Sequence, residues 1–380
     1  MADFTCNLLI MGQTGTGKSS LLNYVFGTDF KTGAGKPVTG EGFYESETEI
    51  ANQKVRVFDS WGLEPGKLES WQKLISEKLA EHGADKPMEE WFHTVIYCIQ
   101  AGSARVQDID LEMIKAFIND GYRVSIVLTK ADQLKDNEVN VMKQAIIDNL
   151  NFSDNKNIYD IKVEVIPACV TEKTLRDGTK VVPFGKDKIV ELILENWRKT
   201  VVNIMPSHII QQINKEIDIW TISEIENIKK LDISGYDWGH SNNRFKQEIS
   251  DRAKVFFENL SNETLPAFIK KDLENCQKVD IFLNSVTAPD IHIDVPEYYN
   301  KVNATLNIVK EVLSDLTIIP LIVKCIMSFL NNCVDKEKSK LEAAVYNIAL
   351  NMKQEFLSKK DSIAQSIATA LGVNKVPSVK

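Results

Sequence analysis

Gly12-Gln13-Thr14-Gly15-Thr16-Gly17-Lys18-Ser19 fits the pattern G-x-x-x-x-G-K-[ST], and its reading decides the fold. The pattern demands these residue types for physical reasons. Glycines let successive backbone N–H groups curl around a polyphosphate without Cβ clashes. Lys18 is placed as a point charge against the outer phosphates, and the Ser19 hydroxyl is placed to ligate Mg2+. Before the loop, Asn7-Leu8-Leu9-Ile10-Met11 reads as a short buried strand; after it, Ser20 to Phe26 has helical spacing and stops at Gly27. Strand, glycine loop and helix set a helix N-terminus, with Ser20 in its first turn, under the bound phosphates.

The 380 residues, 43% of them hydrophobic, are enough for two domains with ordinary cores. A formal net charge of −8 gives no electrostatic footprint for nucleic acid. Six cysteines without a C-x-x-C pair suit free thiols in a reducing cytosol. The first apolar run starts close to Met1, so no signal peptide is expected, and no uninterrupted apolar run is long enough to span a membrane. A cytoplasmic location is expected, with peripheral membrane contact left open.

Residues 28–41 are rich in Gly, Lys, Thr and Pro and read as a mobile loop. Thr39, 21 positions after Lys18, suits a switch threonine that closes over Mg2+ and a γ-phosphate; Thr32 competes for the role. Gly42 to Ile50 and Lys54 to Phe58 then alternate as a hairpin with Asn52-Gln53 at its turn. The second strand runs into Asp59-Ser60-Trp61-Gly62, a D-x-x-G match. Asp59 is placed to hold Mg2+ through water, and the Gly62 N–H to reach the γ-phosphate. Four-residue matches are common, but this one stands 41 residues beyond Lys18 and follows a strand.

Thr94 to Ile99 is the next buried strand, and a helix follows through Ile109, Leu111, Ile114 and Phe117. Val124 to Leu128 is another strand and ends in Thr129-Lys130-Ala131-Asp132, an [NT]-K-x-D match. The Asp132 carboxylate can accept hydrogen bonds from guanine N1–H and the 2-amino group, which adenine does not offer in that arrangement. The Lys130 stem is expected to stack along the base and tether the phosphate loop. After Val163 to Pro167, the Ala168 N–H is expected to meet guanine O6. Arg176-Asp177-Gly178-Thr179 suggests a short hairpin, and a closing helix is expected over Lys186 to Val202.

The phosphate loop, Thr39, Asp59-Ser60-Trp61-Gly62 and Thr129-Lys130-Ala131-Asp132, in this order, resemble the translation-factor-related GTPases. Their Era-like, dynamin-like and immunity-related branches are the closer likeness, over roughly residues 3–203. The resemblance implies a GTPase domain at 1–204, a mixed and mostly parallel sheet with helices on both faces, and GTP or GDP with Mg2+ as ligands. It implies GTP hydrolysis with Lys18, Thr39 and Gly62 as catalytic groups, and a homo-oligomer or G-domain dimer in the GTP state. Three positions depart from the pattern. Leu63 stands where many GTPases carry a water-positioning Gln, so slow turnover of the isolated monomer is expected. Trp61 replaces a usual proline and either packs over the switch or covers core. Gly15 stands where potassium-activated Era relatives carry Asn.

Beyond Pro206, which reads as a hinge, residues 205–380 form an all-α domain. Ile209, Ile210, Ile213, Ile217 and Trp220 make one apolar stripe, and Phe245, Ile249, Val255, Phe256 and Leu260 another. Residues 290–296 break the pattern, and long helices resume to about Leu371. Ile318 to Leu330 is apolar on most sides and reads as a buried helix, as an oligomer or membrane-surface contact, or as a span. Lysines 336, 338 and 340 suit a lipid surface or a solvated face. No basic run, G-x-x-G clamp or aromatic RNA platform follows Pro206, which disfavours an RNA or ribosome-assembly role. Two classes stay in front: an assembly-stimulated GTPase at membranes, and a soluble switch that recruits a protein partner.

Overall fold

β1 (Thr5–Met11), β4 (Thr94–Gln100) and β5 (Val124–Thr129) are mostly apolar along their whole length, and the computed structural model buries nearly every residue of them. Strands without alternation are those covered on both faces, and these three lie in the middle of a parallel sheet. The structure describes residues 5–28, 43–50, 53–60, 68–103, 105–150, 163–174, 178, 180–230, 238–287 and 338–370.

The sheet runs β2-β3-β1-β4-β5-β6, with β2 at Phe43–Ile50, β3 at Gln53–Ser60 and β6 at Val165–Pro167. β2 pairs antiparallel with β3, as the hairpin reading requires, and all other neighbours are parallel. β2 is polar and lies at the edge, where Arg56 of β3 reaches across to Glu47 at 2.6 Å. Flanking helices are α1 (Lys18–Phe26), α2 (Leu68–Glu81), α3 (Asp108–Asn119) and α4 (Asp136–Leu150). A small sheet of β7 (Lys173–Thr174) and β8 (Lys180–Val181) forms the expected hairpin.

Parallel strands all deliver their following loops to the same edge. That edge receives the phosphate loop from β1, Asp59 and Ser60 from β3, Gln100 from β4, Thr129 to Asp132 from β5 and Ala168 from β6. Near the start of β1, Asn7 is latched to the segment before β4. Its N–H donates to His93 Nδ1 at 2.8 Å, and its Nδ2 donates to Glu89 O and Trp91 O, each at 2.9 Å. Since Nδ1 accepts, the His93 proton is on Nε2, which donates to Met88 O at 3.0 Å.

The closing helix is longer than expected. α5 spans Lys186–Lys230 with Pro206 inside it, so Val202 is not its end and Pro206 lies within a helix. Proline removes one backbone donor, but helices on which other elements pack accommodate that loss. Two compact units are distinguished: one takes residues up to Ile204 and a segment from Glu274, the other takes Met205–Leu273 and the later helices. The second unit contains α6 (Trp238–Asn259), a π-helical turn at Leu260–Thr264, most of the first turns of α7 (Leu265–Thr287), α8 (Lys338–Ser358) and α9 (Lys360–Ala370). The stripe Ile209, Ile210, Ile213, Ile217 and Trp220 is buried, whereas Val255, expected on an apolar stripe, faces solvent. Arg252 grips buried Glu224 with two hydrogen bonds of 2.8 and 2.7 Å, which joins α6 to α5. Residues 290–296, Ile318 to Leu330 and Lys336 lie outside the described residues. Among the described residues, no helix is long and apolar enough to cross a membrane.

Candidate functional site

The phosphate loop takes the backbone shape its glycines permit. Gly12, Gly15 and Gly17 have φ of 134, 81 and 88°. Gly12 is also required for space, because a Cβ there would stand 2.2 Å from the carbonyl oxygen of Cys98 in β4. Gly17 is the N-cap of α1 and offers no side chain to it, and the first turn has no acidic residue. The opening N–H groups of α1, from Lys18, Ser19 and Ser20, therefore receive no side-chain cap from Gly17, the arrangement in which a helix N-terminus can bind an anion. Thr14 and Gly15 are exposed at the tip of the loop, while Thr16 is buried.

Gln13 O is the hub of the loop. It accepts from Thr16 Oγ1 at 2.8 Å, from Thr16 N at 3.3 Å and from Lys18 Nζ at 3.2 Å. Lys18 Nζ also donates to Gly12 O at 3.0 Å, and the side chain is 8% exposed. Two of its three donors are thus engaged among the described residues.

Asp59 stands at the end of β3, in register with Ile10, which brings it beside the start of the phosphate loop. Burial pushes its carboxyl up to about 6, against the pull of the Lys18 ammonium. Its Oδ1 is buried and has no hydrogen-bond partner among the described residues. A carboxylate oxygen left without a donor next to a phosphate loop fits a divalent cation, with the Ser19 hydroxyl as the second group. Thr39, Thr32, Trp61, Gly62 and Leu63 lie outside the described residues.

The Thr129–Asp132 segment is joined to the glycine loop by two hydrogen bonds. Thr129 Oγ1, fully buried, donates to Thr16 O at 2.5 Å, and Lys130 Nζ donates to Gly15 O at 2.9 Å. Lys130 has φ 54°, and among the described residues it is the one non-glycine with a positive value. A side chain held in the left-handed region marks a constrained position. Its amine also reaches Gln100 Oε1 at 3.3 Å. Asp132 follows in a turn of helix, with its carboxylate 7% exposed and paired with the Lys173 ammonium. Burial raises its pKa, but the hydrogen bonds of Lys173 and the Cys169 thiol, with the charge of Lys173, outweigh that and hold the carboxyl below its usual range.

Ala168 does not offer the amide expected of it. Its N–H donates to Leu128 O at 2.8 Å, the bond that closes the last parallel pair, Leu128 with Pro167. The Cys169 N–H is likewise spent, on Phe184 O at 3.2 Å. The next amide, Val170, has no hydrogen-bond partner among the described residues.

Two features had no sequence signal. Lys173 belongs to no pattern, and its approach to Asp132 depends on the fold of the hairpin. Asp110 of α3, 3% exposed, accepts from Gln13 Nε2 at 3.1 Å and from the Tyr97 hydroxyl at 2.8 Å. Burial raises the Asp110 pKa against these donors.

Residues 7–130 match a family model described as 50S ribosome-binding GTPase. This is a P-loop GTPase domain. The GTPase domain is also similar to curated and solved proteins at low identity. Septin homolog spn1 of Schizosaccharomyces pombe is 22% identical over 224 residues, 52% of this chain and 47% of the homologue. The chain thus spans about half the length of the curated relative it matches. Toc33 from Arabidopsis thaliana, solved with Mg2+ and GMPPNP, is 17% identical with a TM-score of 0.37, over 52% of this chain and 85% of Toc33. A bacterial selenocysteine-specific elongation factor is 14% identical with a TM-score of 0.30, over 43% of this chain and 25% of the factor.

Proposed function

We propose that the chain binds GTP and GDP with Mg2+ and hydrolyses GTP as a molecular switch whose turnover rises on self-assembly or partner binding. The observation that carries the reading is the physical junction of the two nucleotide-facing loops, Lys130 to Gly15 and Thr129 to Thr16. A base-reading loop tied to a phosphate loop measures one ligand carrying both parts.

In this reading the N–H groups of Gly15 and of Gly17 to Ser20 bind the phosphates, and Lys18 adds a positive charge at the outer ones. Ser19 and Asp59 would hold Mg2+, with Thr39 completing its shell. When bound, Mg2+ neutralises charge on the β- and γ-phosphate oxygens. Asp132 reads guanine through two N–H donors, and the Lys130 stem lies along the base. Val170 supplies the amide for guanine O6 that Ala168 does not. Residues 1–204 make up the GTPase domain and 205–380 the helical domain that meets a protein or a membrane surface. A dynamin-like or immunity-related type accords with the spacing of the motifs.

Leu63 beside Gly62 favours a second reading, a switch that binds GTP and hardly hydrolyses it. Phosphate release from GTP, measured over a hundredfold range of protein concentration with light scattering in parallel, separates the two. The proposal expects specific activity to climb with concentration and with GTP-dependent assembly. GTP binding with no phosphate release at any concentration supports the second reading, and no binding of either nucleotide refutes both.

A further inference from the structure

The carboxylate that should read guanine is already occupied. Asp132 Oδ2 is paired with the Lys173 ammonium, and the carboxylate is 7% exposed while Lys173 is 37% exposed. This pairing is built by the backbone rather than by a chance swing of a long side chain. The segment carrying Lys173 leaves β6 and returns to it, and Cys169 and Phe184 close its base with two backbone bonds of 3.2 and 2.9 Å. Inside that bracket, the Cys169 thiol donates to Thr171 O at 3.3 Å. Lys173 and Thr174 then pair with Val181 and Lys180. At the return, Gly185 has φ 99°, and a Cβ there would stand 2.7 Å from Pro167 O, so the chain passes tightly under the strand end. Both ends of the hairpin are pinned, and Lys173 is presented to Asp132 from a fixed position.

We propose that Lys173 is a latch on the base-reading carboxylate: it pairs with Asp132 in the empty site and must be displaced before guanine can dock. The inference rests on the guanine reading of Asp132 given above. An incoming base has to replace a charged donor, and guanine does so with its paired N1–H and 2-amino donors on the same carboxylate. The latched fraction lowers the apparent affinity, since only the unlatched form is competent. Because Lys173 is partly in water, the pair is weak enough to open readily and is loosened by salt.

The test uses the full chain with Mg2+, titrated calorimetrically with GDP and followed by stopped-flow for the rates. Lys173→Met, which keeps the stem and removes the charge, should tighten GDP roughly two- to fivefold. The gain should be in the association rate, with dissociation unchanged. Lys173→Arg keeps a cation in place and should remain within about twofold of wild type. In an Asp132→Asn background no carboxylate is left to pair, so adding Lys173→Met should leave XDP affinity within about twofold. Unchanged or weakened GDP binding by Lys173→Met, or equal tightening by Lys173→Arg, overturns the latch. A wild-type protein that binds no guanine nucleotide refutes instead the assignment of the site itself.

Discussion

Thr129→Val isolates the coupling between the two loops. The substitution preserves shape and deletes one hydroxyl, and Thr129 is buried, so water does not take its place. The hydroxyl is 2.5 Å from Thr16 O and 3.4 Å from Ile99 O, and its single proton goes to the nearer acceptor. Losing a donor to a buried carbonyl costs roughly 1–3 kcal/mol, a factor of about 5 to 150 in an equilibrium constant. Thr16 lies in the turn that presents the N-terminus of α1, so part of that cost should appear in nucleotide binding rather than all of it in unfolding. Urea denaturation without nucleotide and GDP titration with Mg2+ measure the two shares. The expected outcome is a loss near 1 kcal/mol in the first and about a fivefold or larger rise in Kd in the second. Thr129→Ser, which restores the donor, should recover most of both. Wild-type values for Thr129→Val in both assays would refute the claim that this bond joins the loops.

Asp132→Asn should weaken GDP roughly 10- to 100-fold and improve XDP, read by competition titration; full GDP affinity in the variant places the base elsewhere. Gly12→Ala should cost roughly 2–4 kcal/mol in urea denaturation, since its Cβ meets the Cys98 backbone at 2.2 Å, whereas Gly15→Ala, with nothing within 4 Å of its Cβ, should cost about 1–2 kcal/mol for its positive φ. His93 is held neutral by burial, its pKa lowered from 6.5 to about 3, so the unfolded chain binds a proton that the native one refuses. Its stability is complete above pH 6.5 and is lost as pH falls towards 3, by about 1.4 kcal/mol per unit and about 5 kcal/mol in all. Asp59 and Asp110, raised by burial, act in the opposite sense, so the comparison is wild type against His93→Gln between pH 6.5 and 4, and parallel stability curves for the two would show that His93 does not titrate on unfolding.

Much of the candidate site's backbone was legible because its signals are local. Gly12 to Ser19 is a glycine loop that runs straight into α1, so the loop and its helix are written in one stretch. The strands before it and before Thr129 were readable from their apolar runs and the strand before Asp59 from its alternation, and parallel strands bring their ends to one edge. Lys130 tethering the phosphate loop followed from that convergence. Ala168 failed for a reason of register. In a parallel ladder the residue after a paired one donates to that one's partner, so the Ala168 amide closes the Leu128–Pro167 pair.

The sequence by itself determined the glycine loop, the main strands and the helical second half, since each of these is signalled by residues near one another in the chain. Only the tertiary structure decided which groups are free to act. Among the described residues, Asp59 keeps a buried oxygen without a donor, Gln13 is tied to Asp110, which Tyr97 also holds, and Asp132 is held by Lys173. The same holds for Pro206, where a helix continues through a residue whose local preference is to end one. Availability of a donor or an acceptor depends on every neighbour that folding brings to it, and those neighbours come from distant parts of the chain.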